Sequence, residues 1–194
     1  MKPVIWLLGL SGSGKSTLGS LLRLYLESQG EDVALIDENS FRAQLDSQEA
    51  DVAAALREHV LERQAQGQIC IVCSVTAEES QRQKNREELP FYHEIWVRCS
   101  LTTLVERDPK GIYARAAAGE DLPICGLNQC FDEPTLAHCV VNTDLNLADS
   151  YMELREAVLD IMEKCAEWQE LRSEIGMPRV QGARSHARSS FCGF

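Results

Sequence analysis

The residues with the clearest chemical potential lie near the start of the chain, where glycines, a lysine and a serine are spaced for binding phosphate. Gly9, Gly14, Lys15 and Ser16 fit the pattern G-x-x-x-x-G-K-[ST]. Glycines let the backbone turn so that successive N–H groups point at an anion, and a helix beginning at Lys15 adds the positive end of its dipole. The lysine can reach the β and γ phosphates of a nucleotide, and the serine hydroxyl can ligate Mg²⁺. The stretch therefore predicts a phosphate-binding loop made of Gly9, Ser11, Gly12, Ser13, Gly14, Lys15, Ser16 and Thr17.

Asp37 is the second candidate, because it follows a short apolar run, Val33 to Ile36, that reads as a buried strand. Ligands of open α/β sheets bind outside the carboxyl ends of the strands. A carboxylate there can hold Mg²⁺ together with Ser16, or accept the proton of an attacking hydroxyl. The alternative interpretation is an aspartate that only caps the next helix.

A third feature is the cationic stretch that runs from Arg107 to Arg115, with Lys110 between them. Cations at this point of the chain could close over a nucleotide as a lid. They would stabilise the charge of a phosphoryl group in transfer and exclude water. On residue types alone, a solvated and charged helix end explains the same pattern.

Length and charge restrict the classes of protein that these residues could serve. The chain has 194 residues and a formal net charge of −11, which suits a single domain and argues against a nucleic-acid or anionic-membrane partner. We expect a domain over 1–175 and an arginine-containing tail over 176–194. No apolar stretch approaches the ~20 residues that span a bilayer, and no leader pattern is visible, so the expected location is cytoplasmic.

The cysteines are predicted to be reduced thiols, several of them packed in strands as small hydrophobic residues. Cys70 and Cys73 have the spacing of a redox or zinc pair, but residues three apart in a strand face opposite sides of the sheet. Cys125 and Cys130 flank a loop, and a redox pair there is the alternative that stays open. The remaining cysteines are Cys99, Cys139, Cys165 and Cys192.

Apolar periodicity predicts helices alternating with strands, which favours an α/β protein with a five-stranded parallel sheet flanked by helices. We place the most apolar strand, 69–73, at the centre of the sheet. Ser40, Thr76 and Ser150 are predicted to cap helices, the last two through capping boxes. The other strands are predicted at 4–8, 33–36, 94–99 and 138–142, and helices at 15–28, 52–66, 76–89 and 101–106, with a long one from Ser150.

The motifs together resemble the adenylyl-sulfate kinases. The resemblance covers roughly 3–145 and rests on the loop 9–17, Asp37-Glu38-Asn39 with Arg42, the lid 107–113, and Ala118-Gly119-Glu120. It implies a three-layer P-loop kinase fold with ATP and Mg²⁺. In that family the ATP γ-phosphate passes to the ribose 3′-hydroxyl of adenosine 5′-phosphosulfate. The resemblance assigns catalytic roles to Lys15, Asp37 and Arg107, with Arg107 also at the nucleotide.

The side that would bind the acceptor departs from the family. The family turn is usually Asp-Gly-Asp, whereas Glu38 and Asn39 follow Asp37 here. Ala54 and Ala55 fall where paired arginines grip the phosphosulfate, and Ile124 falls at the loop whose aromatic stacks on adenine. These losses should weaken the binding of adenylyl sulfate unless Arg42, Arg57 or Arg82 substitutes. The substrate-binding candidates are Asp37, Asn39, Arg42, Arg57, Arg82, Lys110 and Ile124.

Three hypotheses follow for function. The first is a kinase with adenylyl sulfate as acceptor, and the second is a kinase of the same fold that acts on another small, anionic or nucleotide-linked hydroxyl compound. The third is a nucleotide-binding protein that has lost catalysis, which the retained Lys15, Ser16, Asp37 and Arg107 argue against. A homodimer is possible in each.

Overall fold

The fold is organised around a parallel sheet whose strand order is β2-β3-β1-β4-β5. The computed structural model describes residues 2–45, 51–144 and 146–175. Within that part of the chain the sheet has five strands, as predicted, but the middle position belongs to β1 and not to β3. The strands are β1 (Val4–Leu8), β2 (Val33–Asp37), β3 (Ile69–Ser74), β4 (Tyr92–Arg98) and β5 (Cys139–Asn142).

Helices cover both faces of the sheet and complete the three layers that the sequence predicted. On one face, α1 and α7 pack on Ile5, Ile71 and Ile95, while α3 packs on Trp6 and Val72 on the other face. Both faces of β1 and β3 are buried, which is why these strands read as continuous apolar runs. The helices are α1 (Lys15–Ser28), α2 (Glu38–Arg42), α3 (Val52–Ala65), α4 (Glu79–Glu88), α5 (Leu101–Arg107), α6 (Ile112–Ala117) and α7 (Leu147–Glu174).

The predicted capping boxes are wrong for both helices. α4 begins at Glu79, and its first N–H donates to Asp132 Oδ2 at 3.0 Å. Thr76 lies outside the helix, where its hydroxyl accepts a hydrogen bond from Trp6 Nε1. Ser150 lies inside α7, which begins three residues earlier behind the Asn146 cap. At α4 a tertiary contact has taken the role that the local pattern suggested, whereas α7 begins one turn earlier behind another local cap.

The start of α2 also differs from expectation. Asp37, and not Ser40, is its N-cap, and Asp37 Oδ1 accepts hydrogen bonds from Asn39 N and Ser40 N. The capping interpretation of Asp37 is therefore correct. It does not exclude a role at the site, because the second carboxylate oxygen points elsewhere.

The apolar stripe on α7 is core packing over its first half. Leu154, Val158 and Ile161 are fully buried, whereas Trp168 and Leu171 are exposed although they continue the spacing. The predicted loop at 46–51 lies outside the described residues except for Asp51, which caps α3. The predicted tail 176–194 lies outside them altogether.

The cysteines of the described ranges are free thiols. Cys70 belongs to the cluster under α3 and Cys73 to the cluster under α1, so the two face opposite sides of the sheet as predicted. Burial raises the pKa of both thiols to about 12. Across the described segments, none of the helices combines the length and the apolar composition needed for a transmembrane span.

Candidate active site

The loop between β1 and α1 is shaped by glycines that no other residue could replace. A Cβ on Gly9 would lie 2.3 Å from the Val97 carbonyl oxygen, so the backbone at Gly9 packs directly against the backbone of β4. Gly14 has φ +94° directly before α1, in the left-handed region that favours glycine. The first turn of α1 has no side-chain cap, which leaves its N–H groups for an anion.

Lys15 is buried against this loop. Its Nζ donates hydrogen bonds to the carbonyl oxygens of Gly9 and Leu10, each at 2.8 Å. Burial lowers the pKa of Lys15 to about 8, because neutral carbonyls do not compensate for lost hydration. The ammonium group is thus held inside the loop as a cation that an anionic ligand would stabilise.

Ser16 and Asp37 meet at the carboxyl edge of the sheet. Ser16 Oγ donates to Asp37 Oδ2 at 2.7 Å, which joins the first turn of α1 to the end of β2. Burial raises the pKa of Asp37, but the hydrogen bonds from Ser16, Ser40 and Asn39 outweigh it, so the pKa lies below its usual value. The pair presents oxygen atoms of the kind that Mg²⁺ prefers.

The predicted lid lies opposite this pair. Arg107 Nη2 donates to the Thr143 carbonyl oxygen at 2.6 Å, which holds the arginine over the end of β5. The Asp108 carboxylate accepts hydrogen bonds from Tyr113 N and Ala114 N, which satisfies N–H groups in the first turn of α6. Tyr113 Oη then donates to the Ser11 carbonyl oxygen at 3.0 Å, which attaches α6 to the phosphate-binding loop.

Thr143 is a site residue that the sequence analysis missed. Its side chain is buried, and Oγ1 lies 2.9 Å from the Ser13 carbonyl oxygen and 3.0 Å from that of Arg98. Its own carbonyl oxygen accepts the hydrogen bond from Arg107. The available signal was its position directly after β5, at the same edge of the sheet as Asp37.

These elements enclose a cavity of about 510 Å³. It brings together most of the predicted site residues, and Gly9 and Ser13 lie in the loop that forms its floor. Pro109, Leu147 and Ser150 add to the wall on the side of β5. The predicted residues that line the cavity are Ser11, Gly12, Gly14, Lys15, Ser16, Thr17, Asp37, Asn39, Arg107 and Lys110.

Two predicted acceptor arginines lie elsewhere, because each is committed to the fold. Arg57 is buried and donates from Nε to Glu88 Oε2 at 2.7 Å, between α3 and α4. Arg82 is fully buried and donates to the carbonyl oxygens of Thr76 and Ala77, which fixes the turn before α4. The expectation that either reaches the positions of the missing arginines finds no support in these contacts.

Three more residues that the sequence placed at the cavity or the lid do not line the cavity. Ile124 is buried beside Leu104 in the small core under the lid. Arg42 is exposed and donates to Glu38 Oε1 at 2.8 Å. Arg115 forms an ion pair with Glu120, five residues further along the chain.

Comparison with known proteins decides the family. The sequence profile of the adenylylsulphate kinase family matches residues 1–142 of this chain. A probable adenylyl-sulfate kinase of Archaeoglobus fulgidus is 35% identical over 153 residues, which cover 75% of this chain and 99% of that protein. The chain belongs to the adenylylsulphate kinase family. It is therefore a phosphotransferase with an alcohol group as acceptor, which confirms the resemblance seen in the sequence.

Two further relatives bear on this family member. The structure of the Mycobacterium tuberculosis APS kinase in complex with AMPPNP and APS superposes with a TM-score of 0.69, at 27% identity, and covers 84% of this chain and 98% of that one. A cytidine diphosphoramidate kinase of Campylobacter jejuni is 30% identical over 157 residues, which cover 78% of this chain and 92% of that protein. Relatives of this chain thus include kinases named for different acceptors.

Proposed function

We propose that this chain transfers the γ-phosphate of ATP, bound with Mg²⁺, to a hydroxyl group of a small molecule. The observation that carries the proposal is the contact between Ser16 and Asp37 in a cavity that Lys15 and Arg107 also line. A phosphate loop, a carboxylate and lid cations are the parts that phosphoryl transfer requires, since its catalysis consists mainly of positioning and charge stabilisation.

Mg²⁺ fits the oxygen atoms that the site presents. Ser16 Oγ and Asp37 Oδ2 would hold the ion, directly or through water, and the low pKa of Asp37 keeps its carboxylate charged at neutral pH. When bound, the ion neutralises phosphate charge.

The cations of the chain act on the phosphates from two sides. Lys15 would exchange its carbonyl partners for phosphate oxygens, which relieves the cost of its burial. Arg107 and Lys110 approach from the lid and would stabilise the charge on the group in transfer.

Asp37 has a second role toward the acceptor. Its position at the cavity places it to orient the attacking hydroxyl, and its carboxylate would receive the hydroxyl proton late in the transfer. Its lowered pKa makes it a weak base, so orientation is the larger part of this role.

Adenosine 5′-phosphosulfate is the first acceptor to test, since the relatives from Archaeoglobus fulgidus and Mycobacterium tuberculosis are named for it. A different hydroxyl compound is the second candidate. Ala54 and Ala55 fall where the family resemblance implies paired arginines, and Arg57 and Arg82 are bound to other groups. The homodimer and the cytoplasmic location remain predictions.

The test is ADP formation with Mg-ATP and a panel of hydroxyl compounds that includes adenosine 5′-phosphosulfate, with the phosphorylated product identified by mass spectrometry. We expect at least one acceptor to raise ADP formation well above ATP hydrolysis. Asp37→Asn should lower that rate by a factor of 10² or more, in the range typical of acid–base and charge-stabilising groups. A rate equal to background hydrolysis with every acceptor would refute the proposal and favour a catalytically silent nucleotide-binding protein.

A further inference from the structure

Glu38 holds its carboxylate beside the main cavity, where three donors bind it. Oε2 accepts hydrogen bonds from Ser74 Oγ at 2.6 Å and from Val75 N at 3.3 Å. Oε1 accepts from Arg42 Nη2 at 2.8 Å. A hydroxyl, a backbone N–H and a guanidinium that converge in this way form an anion-binding site. Here the anion is a side chain of the protein itself.

The donors are fixed by a hydrogen-bonded row that begins in the core. Trp6 Nε1 donates to Thr76 Oγ1 at 2.9 Å, and Thr76 and Ser74 share a hydrogen bond of 2.6 Å. Because a carboxylate only accepts, Ser74 must give its proton to Glu38, so Thr76 must donate to Ser74. The side chains of this row are buried, and its direction therefore favours an anion at the position of the Glu38 carboxylate.

Two of the three donors that bind this carboxylate belong to the wall of the main cavity. Ser74 and Val75 line the main cavity beside Asp37 and Asn39. Glu38 and Ser74 also line a separate cleft of about 20 Å³ beside α3 and α4. Glu38 thus occupies donors of the cavity wall beside Asp37 and Asn39.

We propose that Glu38 fills the anion-binding position on the acceptor side and thereby selects hydroxyl compounds that carry no sulfate or phosphate at that position. Acceptors that are neutral or cationic there, such as polyols and amino alcohols, meet a fixed hydrogen-bond acceptor. An anionic group at the same place meets a like charge and finds its donors occupied. The proposal rests on the function proposed above and names its substrate class.

Two substitutions distinguish the effect of the Glu38 charge from the effect of the space and the donors that its side chain occupies. Glu38→Gln keeps the size of the side chain but removes the charge, and Glu38→Ala empties the position and frees Ser74, Val75 and Arg42. The probe is adenosine 5′-phosphosulfate, titrated by calorimetry into protein saturated with Mg²⁺ and a non-hydrolysable ATP analogue. We expect both variants to bind the probe more tightly than the wild type, Glu38→Ala by tenfold or more. The same variants should lose relative activity toward neutral and cationic acceptors.

Glu27→Gln is the matched control, because Glu27 is an exposed glutamate of α1 that does not line the cavity. It should leave binding of the probe unchanged. Melting curves identify a variant that fails to fold, and Glu38→Gln carries the test if the alanine variant does. The proposal is overturned if the wild type binds the probe as tightly as the variants do, or if neither substitution improves binding. Since binding is measured without transfer, a failure of the kinase proposal in the acceptor panel remains a separate result.

Discussion

Lys15 is a buried cation whose partners, the carbonyl oxygens of Gly9 and Leu10, are neutral. Its pKa of about 8 means that part of the protein carries an uncharged lysine at mildly alkaline pH. Phosphate groups beside the amine favour the ammonium form and raise this pKa. We therefore expect binding of Mg-ATP to take up protons near pH 8, and the affinity to fall as pH rises above 8.

Calorimetry at pH 8 in two buffers of different ionisation enthalpy measures this proton uptake. Lys15→Arg is the control, because arginine stays charged and should abolish the uptake. Equal binding enthalpies in both buffers for the wild type would contradict this expectation.

The lowered pKa of Lys15 also makes the stability of the fold depend on pH. The unfolded chain holds the lysine proton up to about pH 10.5 and the folded chain only to about 8. The contribution of Lys15 to stability therefore rises with pH between these values and is constant below them.

The phosphate-binding loop, β5 and the lid are separate elements that Thr143 joins at one point. Its hydroxyl reaches the Ser13 carbonyl oxygen in the loop, and its carbonyl oxygen receives Arg107 from the end of α5. Valine has the same shape but no hydroxyl. Thr143→Val should therefore leave the buried Ser13 carbonyl oxygen without this donor, whereas that of Arg98 keeps its hydrogen bond from Thr143 N. We expect a cost of about 1–3 kcal/mol in the free energy of unfolding.

Loss of this contact should also loosen the loop and raise KM for ATP severalfold. Steady-state kinetics at saturating acceptor and denaturant unfolding measure the two effects. Thr143→Ser keeps the hydroxyl and should remain close to the wild type in both. If the valine and serine variants behave alike, the hydroxyl does not connect the elements in the way that we argue.

Much of the fold was predictable because the deciding patterns are local. The loop 9–17 and the strands around Ile5 and Ile71 depend on spacing and on burial of both sheet faces, which a sequence displays directly. The site residues of the donor side follow from the loop motif and from the rule for strand ends.

The acceptor side was less predictable because distant residues determine it. Asp132 caps α4 from 53 positions away, and this displaces the local capping box at Thr76. Arg82 satisfies backbone carbonyls within the fold, which residue type alone does not distinguish from an arginine at a substrate. In the sequence, Glu38 is only a departure from the family turn. Its hydrogen bonds from Arg42, Ser74 and Val75 become visible only in the structure.

Packing of α1 on the sheet connects the core of the whole molecule to the chemistry at the cavity. A Cβ on Gly19 would lie 2.8 Å from Cys73 Sγ and 3.2 Å from Leu35 Cδ1, so no side chain fits between α1 and β3. Gly19→Ala must displace α1 or these two side chains, and overpacking of this kind costs about 1–3 kcal/mol. We expect α1 to move, because both side chains are packed in the core. Because α1 begins at Lys15, the displacement also moves Lys15 and Ser16 relative to Asp37. We expect lower stability together with weaker ATP binding.

A double-mutant cycle identifies the cause of both effects. Cys73→Ala removes the sulfur atom that the new methyl group would meet, so the double variant should recover a large part of the stability and ATP affinity lost in Gly19→Ala. Ser20→Ala, at the next position of α1, controls for the helix propensity of alanine. Denaturant unfolding and nucleotide titration of the four proteins measure the coupling. Additive losses would show that the contact between Gly19 and Cys73 does not set the position of α1, and that the loop is held by its own bonds alone.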